Sequence, residues 1–162
     1  MVHSDEKHHA EETPLAGARI LLIEARYEKA ICDELLAGAL ARLKAAEVEI
    51  EHVQVPGALE IPVAAAILLD AAQKSGKPFA GLVALGCVIR GETFHFDIVA
   101  GESARALMDL AVARRLPVGN GILTVENEAQ GFARAKRSEG DKGGEAAAAA
   151  LALVRLARAG AK

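Results

Sequence analysis

Tryptophan is absent from this chain of 162 residues, and its aromatic rings are one tyrosine and four phenylalanines. A core so poor in rings has to be filled by aliphatic side chains and by the close approach that alanine permits. Each aromatic is therefore informative, and Tyr27, Phe94, Phe96 and Phe132 all stand beside polar motifs. Cysteine is almost as scarce. Cys32 and Cys87 are far apart and fit no CxxC or zinc-ligand spacing, which argues against a disulfide scaffold and a structural metal and points to a reducing cytoplasm. A dominant charge is lacking too: 19 basic against 22 acidic residues, a net charge of -3, offers no broad basic surface for nucleic acid.

The opening MVHSDEKHHAEETP has no continuous apolar stretch, so it reads as neither a secretory signal nor a membrane segment. Its His3, His8 and His9 lack the cysteines and the ordered frame of a metal site, and residues 1–17 read as a solvated, flexible tail. Several chemical signatures are missing as well. There is no GxxxxGK[ST] phosphate loop, no GxSxG elbow, no HExxH, and no GxGxxG at the first strand-helix junction. These absences argue against a nucleotide hydrolase, a serine hydrolase, a zinc protease and a standard dinucleotide dehydrogenase.

What is present is alternation. Apolar runs at 18–24 (ARILLIE), 48–54 (VEIEHVQ), 80–89 (AGLVALGCVI) and 118–124 (VGNGILT) are strand-like and separated by helical repeats. Helices are expected at 30–46, 59–74, 103–115, 126–137 and 144–158. This order implies an α/β fold, a three-layer α/β/α sandwich with a four-stranded parallel sheet flanked by helices (flavodoxin-like), as a single domain over 18–159. The last helix, GEAAAAALALVRLARA, is apolar around most of its circumference, which suggests burial between the sheet and another subunit.

In open parallel sheets ligands bind beyond the carboxyl ends of the strands. Four polar segments fall there: Arg26 and Tyr27, then VPGALEIP, IRGETFHFD and GNGILT. In Gly91-Glu92-Thr93 a close turn leads into a helix start, whose unpaired N–H groups can hold a phosphate or carboxylate, with the Thr93 hydroxyl as an added donor. Alone, the triplet is an ordinary helix cap. His95 would sit in the first helical turn, where the positive end of the helix dipole keeps an imidazole available as a base. Glu60, near another helix start, can accept from substrate hydroxyls or merely complement the dipole. Arg134 and Lys142 are the cations to try first against a phosphate, Lys142 from a loop just before the last helix.

Taken in order, ARY, VPGALEIP, LGCVIRGETFHFD, GNGILT, ARAK and GDKGGEAA resemble the lumazine synthase family over roughly residues 19–159. The resemblance implies condensation of 5-amino-6-(D-ribitylamino)uracil with 3,4-dihydroxy-2-butanone 4-phosphate to 6,7-dimethyl-8-ribityllumazine, phosphate and water, the penultimate step of riboflavin biosynthesis. No cofactor and no metal are implied. By the same resemblance His95 transfers protons, Gly91, Glu92 and Thr93 bind the phosphate, and Arg134 neutralises it as it leaves. Tyr27 would stack on the pyrimidine, Ala58, Leu59 and Glu60 would bind the ribityl side, Val88 and Ile89 would line the heterocycle pocket, and Lys142 would be a further ligand-side group.

The family also implies a homopentamer with active sites between subunits, Asn120 and Gly121 reaching across, and in some members decamers or shells of sixty. The KRSEGDKG connector is no longer than in shell-forming members. Neither nucleic acid nor membrane is expected as a partner. Tyr27, Glu28 and Asn120 depart from the commoner residues of the family, which leaves a weakly catalytic flavin-binding or shell-forming paralogue as an alternative. A third reading is the related archaeal-type riboflavin synthase, against which the intact GETFHFD speaks.

Overall fold

The computed structural model describes residues 13–161. Among these, strands and helices alternate as β1 (Arg19–Ala25), α1 (Lys29–Ala45), β2 (Glu49–Val55), α2 (Glu60–Lys74), β3 (Gly81–Ile89), α3 (His95–Arg114), β4 (Val118–Val125), α4 (Glu128–Ala135) and α5 (Lys142–Gly160). The four strands form one sheet in the order β2-β1-β3-β4. All three pairings are parallel, Leu22 lying beside His52 on one side and Val83 on the other. The expected α/β sandwich and its four strands are thus present.

Side-chain alternation divides the core between the two faces of the sheet. Ile20 and Leu22 of β1 point to the side covered by α1 and α5, joining Leu35, Leu43, Ala147 and Leu151. Leu21, Ile23 and Ala25 point to the other side, against Ile61 and Ala65 of α2 and Leu107 of α3. This double burial explains why β1 reads as an unbroken apolar run. The edge strand β2 is half-exposed and correspondingly polar. The order turns around between β1 and β3, so the crevice beyond their carboxyl ends lies where the fold switches from one face to the other.

Helix boundaries shifted more than strand boundaries. α3 runs unbroken from His95, joining the helix start expected at GETFHF to the repeat read from residue 103, with Val99, Ser103 and Leu107 on its buried face. α4 is shorter than expected: Asn127 caps its start, accepting from the Gln130 N–H at 2.9 Å, and the backbone leaves helical geometry at Lys136. α5 begins at Lys142, so Lys142 heads the helix rather than preceding it from a loop. The reason is a close crossing with α1, where a Cβ on Gly143 would stand 2.0 Å from the Leu35 carbonyl oxygen. The same helix presses on β4, since a Cβ on Gly119 would meet the Ala146 carbonyl oxygen at 1.8 Å.

Of the expected N-terminal tail, residues 1–12, with His3, His8 and His9, lie outside the described residues. Residues 13–17 make contacts: Leu15 is 4% exposed and its N–H donates to the Ala46 carbonyl at 2.8 Å. Arg155 and Arg158 of α5 donate to the carbonyls of Thr13 and Ala16. No helix among the described residues is long and apolar enough to cross a membrane.

Candidate active site

A cavity of about 540 Å³ opens beyond the carboxyl ends of β1 and β3. That volume lies within the range of about 300–1,000 Å³ usual for small-molecule sites. Its walls come from segments that each leave a strand. β1 delivers Ala25, and the turn after it presents Tyr27 and Glu28. The turn after β2 brings Pro56, Gly57, Ala58 and Leu59, and α2 opens with Glu60. β3 is fully buried as far as Cys87 and then opens, so Val88 and Ile89 are half-exposed to the cavity. Gly91 and Thr93 follow, and α3 contributes His95, Phe96 and Val99.

Two helix starts face this space. At α2 the backbone folds tightly, Glu60 N–H donating to the Gly57 carbonyl at 3.1 Å and Ile61 N–H to Ala58 at 3.2 Å. The Glu60 carboxylate lies back over Gly57, at the cavity wall, where it complements the helix N-terminus. At α3 the Thr93 hydroxyl accepts from the His95 N–H at 3.4 Å, and His95 is the first helical residue. The exposed imidazole, the Thr93 hydroxyl and the N–H groups of the first turn form one polar corner suited to an anion and a moving proton.

The opposite wall is apolar. Cys87 is 7% exposed and burial pushes its thiol up to about 12, so it lines the cavity as a small hydrophobe rather than a nucleophile. Cys32 beneath it donates to the Ala25 carbonyl at 3.3 Å, and burial raises its thiol to about 11. Among the described residues no group of three or more His, Cys, Asp or Glu is placed to hold a metal ion.

The structure brings together Tyr27, Ala58, Leu59, Glu60, Val88, Ile89, Gly91, Thr93 and His95 around one cavity. Glu92 is exposed in the same loop without lining it. Four other expected residues stand elsewhere. Asn120 is exposed on β4 and its side-chain oxygen accepts from the Ile122 N–H at 2.9 Å, while Gly121 is buried between Leu85 and Ala146. Arg134, near the end of α4, donates to the Gln130 carbonyl at 3.1 Å, and Lys142 pairs with Glu145 at 2.6 Å. None of the four lines the cavity of its own chain. Sequence reasoning passed over Cys87, Phe96 and Val99 as wall residues; Phe96, two residues beyond Phe94 and flanking His95, offered the clearest signal.

The family model described as 6,7-dimethyl-8-ribityllumazine synthase matches residues 17–158. Relatives of that name are similar over nearly their whole length. The protein of Azorhizobium caulinodans is 62% identical over 149 residues, covering 92% of this chain and 92% of its own. That of Xanthobacter autotrophicus is 63% identical over 144 residues, covering 89% and 87% respectively. That of Methylobacterium radiotolerans is 66% identical over 144 residues, covering 89% and 85%. With the parallel sheet, the crevice at its switch point and these matches in agreement, the chain belongs to the 6,7-dimethyl-8-ribityllumazine synthase family.

Proposed function

We propose that the cavity condenses 5-amino-6-(D-ribitylamino)uracil with 3,4-dihydroxy-2-butanone 4-phosphate to give 6,7-dimethyl-8-ribityllumazine, phosphate and two molecules of water, as a cofactor-independent transferase. One observation carries this reading: a single cavity offers an aromatic face, an apolar slot, a hydroxyl-accepting carboxylate, and a helix start with a hydroxyl and an imidazole. Tyr27 stacks on the pyrimidine, whose ring lies along Val88 and Ile89. Glu60, with the Ala58 and Leu59 backbone, accepts from the ribityl hydroxyls. The phosphate sits at Gly91, Glu92 and Thr93, against the first turn of α3.

The substrate's primary amine attacks the ketone, and loss of water leaves an imine. His95 takes a proton from the carbon next to the imine, electrons move toward the phosphate-bearing carbon, and the C–O bond to phosphate breaks. The enol product tautomerises, its remaining carbonyl is attacked by the ribityl-bearing nitrogen, and a second water leaves. Holding both substrates in one cavity supplies most of the advantage, because two encounters become one oriented complex.

The sites belong between subunits of a homopentamer. Arg134, Lys142 and Asn120 do not line the cavity of their own chain, and a neighbouring copy supplies them, Arg134 as the guanidinium fork on the departing phosphate, whereas Gly121, buried between Leu85 and Ala146 of its own chain, does not reach across. Supporting this, α2 exposes Val63 and Ile67, and α3 exposes Ile98, Met108 and Val112, a run of apolar side chains that water does not favour. Decamers and sixty-subunit shells are further closures of the same unit. A cytoplasmic location accompanies the proposal, supported by two buried cysteines that form no disulfide.

One assay tests the function: purified protein is mixed with both substrates while lumazine absorbance and phosphate release are followed. Both signals are expected, in equal amounts. Riboflavin formed from lumazine alone assigns the riboflavin synthase reaction instead, and tight flavin binding without turnover assigns a binding or shell-forming role.

A further inference from the structure

Two arginines stand directly after the strands that end at the cavity, and neither lines it. Arg26 follows β1. Its guanidinium donates to Glu24 Oε1 at 2.8 Å, to Asp33 of α1, and to the Lys29 carbonyl at 3.5 Å. Glu24 is 0% exposed, and its other oxygen, 3.5 Å from His52 Nε2, makes no hydrogen bond. A carboxylate buried to this degree depends on its cation, so Arg26 is fixed from below by Glu24 and from the side by α1. The bonds tie the end of β1 to the start of α1 across the turn that carries Tyr27. Tyr27 itself is 83% exposed, so its backbone turn rather than side-chain packing sets where the ring stands.

Arg90 follows β3. Its Nε donates to both oxygens of Glu126, at 2.9 and 3.1 Å, and its Nη1 reaches Asp97 of α3 at 3.4 Å. The guanidinium lies over the Phe96 ring, 4.3 Å from the centroid, and the Arg90 N–H donates to the Val125 carbonyl at 2.9 Å. One side chain therefore holds the end of β4 and the head of α3 on either side of loop 91–94. That loop is exposed throughout and has no packing of its own to fix it.

The two networks share no residue. We infer that Arg26 and Arg90 are positioning residues that set the two ends of the cavity independently: Arg26 orients the Tyr27 turn for the ring substrate, and Arg90 orients loop 91–94 and His95 for the phosphate. The assignment of ends to ligands rests on the function proposed above. Surface ion pairs with a merely structural role would alter stability and affect both ligands alike, whereas separate positioning predicts a crossed pattern.

The test is calorimetric binding to the intact assembly, with 5-amino-6-(D-ribitylamino)uracil alone and inorganic phosphate alone as probes. Arg26→Met is expected to weaken the ribitylaminouracil about tenfold and phosphate less than about twofold; Arg90→Met is expected to do the reverse. Glu126→Gln should reproduce the Arg90 pattern in weaker form. Should Arg26→Met fail to fold because it strands Glu24, Asp33→Asn loosens the same arginine without unpairing the buried carboxylate, and its pattern decides. Equal weakening of both probes, a fall in melting temperature with both affinities unchanged, or no binding of either probe to the native protein would overturn the inference. Binding of both probes without turnover of the paired substrates sinks the assigned reaction alone, and the crossed pattern still decides the positioning.

Discussion

Replacing Gly119 by alanine tests the packing that places α5, and with it Lys142, over β4. The new Cβ would stand 1.8 Å from the Ala146 carbonyl oxygen and 2.7 Å from its carbon, where ordinary contact begins at 3.4 Å. Both are main-chain atoms in the first turns of a helix that also crosses α1 closely, so no side chain can swing away to relieve the clash. Overpacking of a filled core costs about 1–3 kcal/mol, and a clash with rigid backbone belongs at about 3. For a chain of this size that corresponds to a fall of about 6–12 °C in melting temperature. Thermal unfolding at fixed protein concentration is the assay, since assembly makes the midpoint depend on concentration. Gly101→Ala is the control: nothing lies within 4 Å of its Cβ, and alanine in a helix interior is favoured by about 1 kcal/mol. A Gly119→Ala protein melting within about 2 °C of the native chain would refute the reasoning.

Further outcomes follow from the site. Arg134→Ala should lower kcat by about a hundredfold, and more than His95→Ala does, because water can relay a proton whereas a guanidinium fork on phosphate is hard to replace; equal, total loss in both variants contradicts that order. Glu60→Gln should raise KM for the ribitylaminouracil by about tenfold with little change for the phosphate substrate, read from steady-state kinetics. Both thiols titrate higher folded than unfolded, about 12 for Cys87 and about 11 for Cys32 against an ordinary 9.0. Their contribution to stability is therefore full below pH 9 and is lost as pH rises through the folded values. Denaturant titrations between pH 8 and pH 11, taken as about the accessible window, should show a slope that flattens in Cys87→Ala. At about pH 8, alkylation of Cys87 in the native protein should be slow although the residue borders the cavity.

The fold was legible because strand and helix periods alternate cleanly and β1 is apolar on both faces. The candidate site was legible for a related reason: its segments come directly after strands, where a parallel sheet always places its crevice. What could not be read depends on neighbours distant in sequence. Arg26 and Arg90 look like any polar residues after a strand until Glu24, Asp33, Glu126 and Phe96 are seen around them. Gly119 is simply a glycine in a strand-like run until α5 is laid across it. The starts of α4 and α5 shifted because the Asn127 cap and the close crossing with α1, rather than apolar repeats, decide where those helices begin.

The apolar run along α2 and α3 has a consequence for the life of the newly made chain. On the intersubunit reading, a chain released alone carries both half a reaction centre and a surface that adheres to itself, with Val63, Ile67, Met108 and Val112 in water. The interval between synthesis and meeting its like is then the hazardous one, during which wrong partners compete for the same face. Once chains close into a ring, the hazard and the incompleteness vanish in the same event, so specific activity should decline on dilution and return on reconcentration.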